Sequence, residues 1–275
     1  MKKFALVLFV VFAACAAIFA SPSGEKSGQT TVKIGLMGEE LRPVWTEAAK
    51  LLEKDNIKIE LVNFSDYAVP NRALADGDID LNSFQHDAFL QNEIKNQKYE
   101  ITAVGNTVIF FLGVYSHKIK KLDELKDGDT IVIMNDATNG GRALKVLEAA
   151  GVFQLDPSKG NTPTVRDIVS NPKNIKIVEV DAAQTWRTLD DPAVAAAVVN
   201  SNFVVDAGGV PARDAIFIKP IDPVGDKPYI NLVAARIKDK DNPVYKKVVA
   251  AFQTPEVARV INEEAPLKGI ALPAW

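Results

Sequence analysis

The sequence predicts an α/β fold in two lobes, and three observations predict it. The chain is 275 residues long, which is about two domains at roughly 150 residues each. From Val32 onward, short β-branched runs alternate with stretches of helical period, and such alternation implies sheets covered on both faces. Hydrophobic residues make up 47% and charged residues 24%. That is the balance of a soluble globular protein, not of a disordered chain, a collagen-like fibre or a polytopic membrane protein. Two lobes place a cleft between them, where small ligands most often bind.

The elements follow in order. Residues 1–20 open with Met1-Lys2-Lys3, continue uncharged from Phe4, and end in the small-residue run Ala13-Ala14-Cys15-Ala16-Ala17-Ile18-Phe19-Ala20. A basic start, a short apolar run and small residues describe an export leader. The Phe12-Ala13-Ala14-Cys15 stretch resembles a bacterial lipobox, with cleavage before Cys15 and acylation of that cysteine; cleavage after Ala20 is the rival. Residues 21–31 are polar and rich in Ser and Gly, a flexible tether. Val32–Leu36 and Ile57–Val62 read as strands around a helix over Val44–Lys54. A short helix spans Pro70–Ala75 and closes at Asp76-Gly77. Strand Ile79–Leu81 and a helix from Phe84 to Lys95 come next. The apolar run Thr107–Tyr115 reads as one strand passing between the lobes. A second unit starts at Ser116, with strand Ile131–Met134, helix Gly140–Ala150 and Gly151 as its C-terminal glycine. Strands Ile175–Val180 and Val194–Val199 flank a helix-compatible Ala182–Leu189. Tyr229–Ile237 is a strand, and Pro243–Glu264 closes the chain as one or two helices. The expected division is lobe I over 32–115 plus 228–275 and lobe II over 116–227.

Composition also narrows the chemistry. Lys+Arg 32 against Asp+Glu 35 leaves a formal charge of −3, so no global basic field exists to hold nucleic acid. Two histidines and one cysteine exclude an intrachain disulfide and the usual Cys/His zinc site. No cofactor or metal is expected. No G-x-S-x-G elbow accompanies His86 or His117, which argues against a hydrolase.

Two segments carry the functional signal. Asn135-Asp136-Ala137-Thr138-Asn139-Gly140-Gly141-Arg142 follows a strand and opens a helix, with Thr138 or Asn139 as the expected cap. First-turn amides and the helix dipole favour an anion, and Arg142 adds a fork suited to a carboxylate. Gly140 and Gly141 are expected to admit a ligand close to the backbone. The spacing is not that of a P-loop. The second segment, Asn82-Ser83-Phe84-Gln85-His86-Asp87-Ala88-Phe89, gathers rings past a strand's C-terminal end, where open α/β sheets place their ligands. Asn200 and Asn202 follow a strand, and Asn231 lies inside one, where Asn is disfavoured by propensity.

Taken together, the runs at 64–74, 82–90, 105–109, 135–151, 197–203 and 227–236 resemble, in order and spacing, the NlpA-type methionine-binding lipoproteins. The resemblance runs from Val32 to Trp275. It implies a type II periplasmic-binding-protein fold, two α/β lobes joined by crossover strands with the ligand in the cleft. It also implies an extracytoplasmic, membrane-anchored lipoprotein of the bacterial cell envelope, monomeric, that delivers L-methionine to an ABC importer permease. Tyr67, Phe84 and His86 fall on positions around the ligand side chain, with Phe89 beside them. Arg142 falls on the carboxylate position, Asn200 and Asn231 on positions for the polar main-chain atoms, and Asn139 and Asn202 are their neighbours. Tyr67, Phe84, His86 and Phe89 are expected to form an aromatic sleeve without a carboxylate at its end, accepting a thioether and rejecting glutamate and lysine. Ala88-Phe89 stands where many members carry Pro-Tyr, and Met37–Arg42 departs from the family's usual loop. These departures keep a methionine-containing dipeptide or another neutral amino acid open as the ligand, and a surface antigen or adhesin on the same fold without transport is a separate alternative.

Overall fold

The computed structural model describes residues 28–275. The leader, Cys15 and most of the tether lie outside the described residues. The chain runs β1 (Thr30–Met37), α1 (Arg42–Leu52), β2 (Ile57–Phe64), α2 (Pro70–Asp76), β3 (Leu81–Asn82), α3 (Asp87–Gln97) and β4 (Ile101–Phe110). It continues through β5 (Gly113–Tyr115), β6 (Thr130–Met134), α4 (Ala137–Ala149), β7 (Gln154–Leu155), β8 (Ile168–Ser170), β9 (Lys176–Val180), β10 (Val194–Val199), α5 (Ser201–Asp206), α6 (Pro211–Asp214) and β11 (Ala215–Ile218). β12 (Ile230–Arg236), α7 (Pro243–Phe252), α8 (Pro255–Glu263) and β13 (Ala271–Pro273) complete it.

Among the described residues the strands form two mixed sheets, ordered β13-β4-β12-β3-β1-β2 and β11-β5-β10-β6-β9, and a β7-β8 ribbon. β1 pairs in parallel with both β2 and β3, and β6 with both β9 and β10. β10 is buried at every position and β6 at all but Thr130. Such unbroken apolar runs suit parallel strands covered on both faces. α1 buries Val44, Trp45, Ala48 and Leu52 at helical spacing, and Trp45 packs against Phe252 of α7 with ring centroids 4.8 Å apart. The chain passes from the first sheet to the second at Phe111–Leu112 and returns between β11 and β12.

Several local expectations change. The run Thr107–Tyr115 is not one strand: Phe111 donates its backbone N–H to Ile270, and β5 joins the second sheet, three residues short of the expected division after Tyr115. The third helix begins at Asp87 instead of Phe84, because Gln85 accepts from the backbone of Leu232 and His86 is extended. Ile79-Asp80 lies outside β3, where Asp80 instead exchanges bonds with the backbone of Lys33. Ala182–Leu189 forms two 3-10 turns, with Thr185 and Thr188 hydroxyls donating to the carbonyls three residues earlier. Such side-chain bonds to nearby backbone compete with the α-helical ladder. The closing segment is two helices, separated at Gln253-Thr254.

Candidate functional site

The cap of α4 is Asp136, not Thr138 or Asn139. Its Oδ1 accepts from the backbone N–H of Thr138 at 3.2 Å and of Asn139 at 2.8 Å, and from the Asn139 side chain at 3.2 Å. The cap therefore holds the Asn139 amide as well as the helix start. The two glycines serve packing within the protein, not ligand approach. A Cβ on Gly140 would lie 2.6 Å from the Met134 carbonyl oxygen, and one on Gly141 would lie 3.2 Å from the Asn161 and Pro163 carbonyls. Gly140 lets α4 start tight against the end of β6.

One turn further, Arg142 is 7% exposed. Its Nη2 donates to the Phe110 carbonyl at 2.6 Å, and its guanidinium carbon lies 4.6 Å from the centroid of the Tyr229 ring. No carboxylate pairs with it among the described residues. Burial holds its pKa below the ordinary arginine value, and the group stays cationic because that value is so high.

Across the cleft, a buried amide cluster positions His86. Asn71 and Gln85 exchange side-chain bonds of 2.8 and 2.6 Å, and Gln85 also donates to Asn82 at 3.0 Å. His86 then caps α3, its Nδ1 accepting from the Phe89 N–H at 3.1 Å. With Nδ1 an acceptor, the ring proton belongs on Nε2, which faces Asn139 Oδ1 at 3.4 Å. Burial first, and then the Arg142 charge, push the His86 pKa down to about 3, so the ring is a neutral donor. Tyr67 donates to Asn202 Oδ1 at 2.8 Å, and Asn200 donates to Asn139 Oδ1 at 3.1 Å. The Tyr67 ring lies 5.9 Å from Phe84, 5.8 Å from Phe89 and 5.3 Å from Phe203. Asn231, in β12, forms an antiparallel bridge with His86.

All nine residues singled out in the sequence line one cavity of about 600 Å³ of atom-free space, its open mouth included. Asn200 Oδ1 and Asn202 Nδ2 are buried in it without a partner, one acceptor and one donor left for something else to satisfy. Sequence reading missed Met37, Leu41, Phe111, Leu112, Ser201 and above all Glu40 in the lining. Glu40 places a carboxyl in the wall, so the sleeve is not free of one and the exclusion of lysine does not follow from it. The unusual Met37–Arg42 loop was the available signal. His117 lies elsewhere, exposed and 3.1 Å from Asp190.

The family model described as NlpA lipoprotein matches residues 32–275. The chain belongs to the NlpA lipoprotein family. Among its NlpA relatives, the D-methionine-binding lipoprotein MetQ of Escherichia coli K12 is 40% identical, over 97% of this chain and 98% of the relative. A crystal structure of a methionine-binding protein MetQ superposes with a TM-score of 0.83 at 42% identity, covering 89% of this chain and 98% of the other. A nutrient-binding protein from Burkholderia cenocepacia, solved bound to methionine, gives 0.81 at 40% identity, over 89% of this chain and all of that one. The fold is therefore the expected type II periplasmic-binding-protein arrangement of this NlpA family. Among the described residues no helix is long and apolar enough to cross a membrane.

Proposed function

We propose that this NlpA lipoprotein is the extracytoplasmic receptor that captures methionine and delivers it to an ABC importer permease, anchored by lipid on Cys15 and acting as a monomer. The observation that carries the reading is Arg142, a buried guanidinium that lines a polar-and-aromatic cavity and pairs with no carboxylate among the described residues. A free amino acid brings that carboxylate. Arg142 takes it, Asn200 and Asn231 take the remaining polar main-chain atoms, Asn139 holds the Asn200 amide, and Asn202 holds the Tyr67 hydroxyl. Tyr67, Phe84, His86 and Phe89 surround the side chain, where a thioether gains sulfur–ring contacts of about 0.3–1.5 kcal/mol each. The neutral His86 suits an apolar ligand side chain, since it brings no charge to the sleeve.

Mass spectrometry of small molecules released from the denatured protein tests the reading directly, and methionine is the expected species. Calorimetric titration with L- and D-methionine, norleucine, glycyl-methionine and glutamate then grades the site. Norleucine, equal in length but without sulfur, binds detectably and more weakly than methionine. Glutamate is rejected, because a second carboxylate unpaired in the sleeve costs several kcal/mol. Tighter binding of glutamate than of methionine would overturn the pocket assignment, whereas binding of the dipeptide alone would keep the receptor and change its ligand.

A further inference from the structure

Glu40 follows β1 in the loop that leads into α1, and it is 3% exposed. Its side chain lines the same cavity as Arg142, and its Oε1 is buried with no hydrogen-bond partner. Ser201, the residue after Asn200, bonds to the carboxyl from the opposite lobe. The titratable groups around it are anionic or neutral: Asp206 of α5, Glu39 beside it in the loop, and the phenols of Tyr67 and Tyr115. The nearest loop cation, Arg42, is engaged by Glu39. Among the described residues Glu40 is therefore a buried acid with no salt-bridge partner, Arg142 being the cation that shares its cavity.

A buried carboxylate without a counter-charge is expensive, and burial followed by the Asp206 charge raises the Glu40 pKa to about 8. Its surroundings thus keep this carboxyl protonated at neutral pH. Two buried oxygens without a partner among the described residues, Glu40 Oε1 and Asn200 Oδ1, belong to residues that line this one cavity. A primary ammonium is a compact cation with three donors, the chemistry that such a set lacks. We infer that Glu40 is the specificity-determining acceptor for the ammonium group of the ligand, and that it releases its proton to solvent when that ammonium enters. The inference rests on the amino-acid-receptor reading above. It divides recognition of the zwitterion between two buried charges, Arg142 for the carboxylate and Glu40 for the ammonium. It also couples uptake to pH: below the Glu40 value, each bound ligand must displace a proton.

Calorimetry of the whole protein at pH 6.5, in two buffers of different ionisation enthalpy, counts that proton. Wild type should release about one proton per methionine bound, and its affinity should rise about tenfold from pH 6 to 7. Glu40→Gln, nearly isosteric, should bind with no proton release and no such slope, and N-acetyl-methionine, which lacks the ammonium, should trigger none in the wild type. Methionine binding without proton release, or equal release by Glu40→Gln, would overturn the assignment and leave the receptor standing. A wild type that binds neither methionine, norleucine nor glycyl-methionine would overturn the receptor reading and this one with it. Should Glu40→Gln not fold, the wild-type proton count and pH slope decide alone.

Discussion

Arg142 spends its burial on one carbonyl and one ring, Phe110 and Tyr229. That leaves guanidinium donors directed at the cavity in a water-poor site where a charge-assisted pair is strong. Arg142→Ala is expected to weaken methionine binding by about 2–5 kcal/mol, as for loss of one partner of a buried charge pair. Titration calorimetry showing less than a threefold change would remove Arg142 from the carboxylate role. Two other cavity residues give stability an opposed pH dependence. Glu40 titrates at about 8 in the fold against 4.5 when free. The folded chain therefore holds a proton that the unfolded chain has lost between those values, and the stabilisation present below pH 4.5 disappears as pH rises to about 8. His86 titrates at about 3 against 6.5, so its contribution, present above pH 6.5, is lost as pH falls towards 3. Denaturant unfolding of wild type and Glu40→Gln should isolate the first effect: the stability difference moves against the wild type from pH 5 to pH 8. A constant difference across that range would contradict the buried, protonated acid.

At the scale of elements, α4 is the part on which the site depends most. Asp136 caps it and fixes Asn139, which in turn meets His86 across the cleft and Asn200 within its own lobe. Asp136→Ala should cost about 0.5–2 kcal/mol in urea unfolding, the usual range for a lost N-cap, and should weaken ligand binding by releasing Asn139. A variant with lowered stability but unchanged affinity would show that Asn139 is held by other contacts. Gly140→Ala acts on the same junction by a different route. Its methyl group would meet the Met134 carbonyl, a backbone atom that cannot rotate away. The helix start would have to lift from β6, at about 1–3 kcal/mol for an overpacked site.

For the whole molecule, the lobes meet through side chains that also line the cavity. Tyr67 reaches Asn202 and His86 faces Asn139, while outside the cavity Asp206 accepts from the Glu39 N–H at 3.1 Å. A ligand in this cavity contacts both lobes at once and stabilises the folded, closed chain by mass action. At a hundred times its dissociation constant, methionine should add about 2.7 kcal/mol to the unfolding free energy, read as a concentration-dependent rise in Tm. The same molecule is expected to be tethered. Metabolic labelling with a palmitate analogue should mark the wild type and not Cys15→Ala. An unlabelled mature chain starting at Ser21 would identify ordinary cleavage after Ala20 instead.

The strand–helix alternation, the apolar β6 and β10, the amphipathic α1 and the presence of a helix after β6 were legible in the sequence, because each is set by residues within a few positions of one another, although the cap of that helix proved to be Asp136. So were the aromatic and amide residues that line the cavity, since their local strings are distinctive and resemble one family. What only the tertiary structure decided depends on distant partners. The start of α3 moved to Asp87 because Leu232 claims the Gln85 carbonyl, and Phe111 left its strand for Ile270. Gly140 and Gly141 face the protein's own carbonyls, an approach set by β6 and by a loop twenty residues away. Glu40 is the clearest case. In the sequence it is one of two adjacent acids in a polar loop, yet the fold exposes Glu39 and seals Glu40 into the cavity wall beside Ser201. Its chemistry comes from desolvation, and desolvation is a property of the packed lobes together.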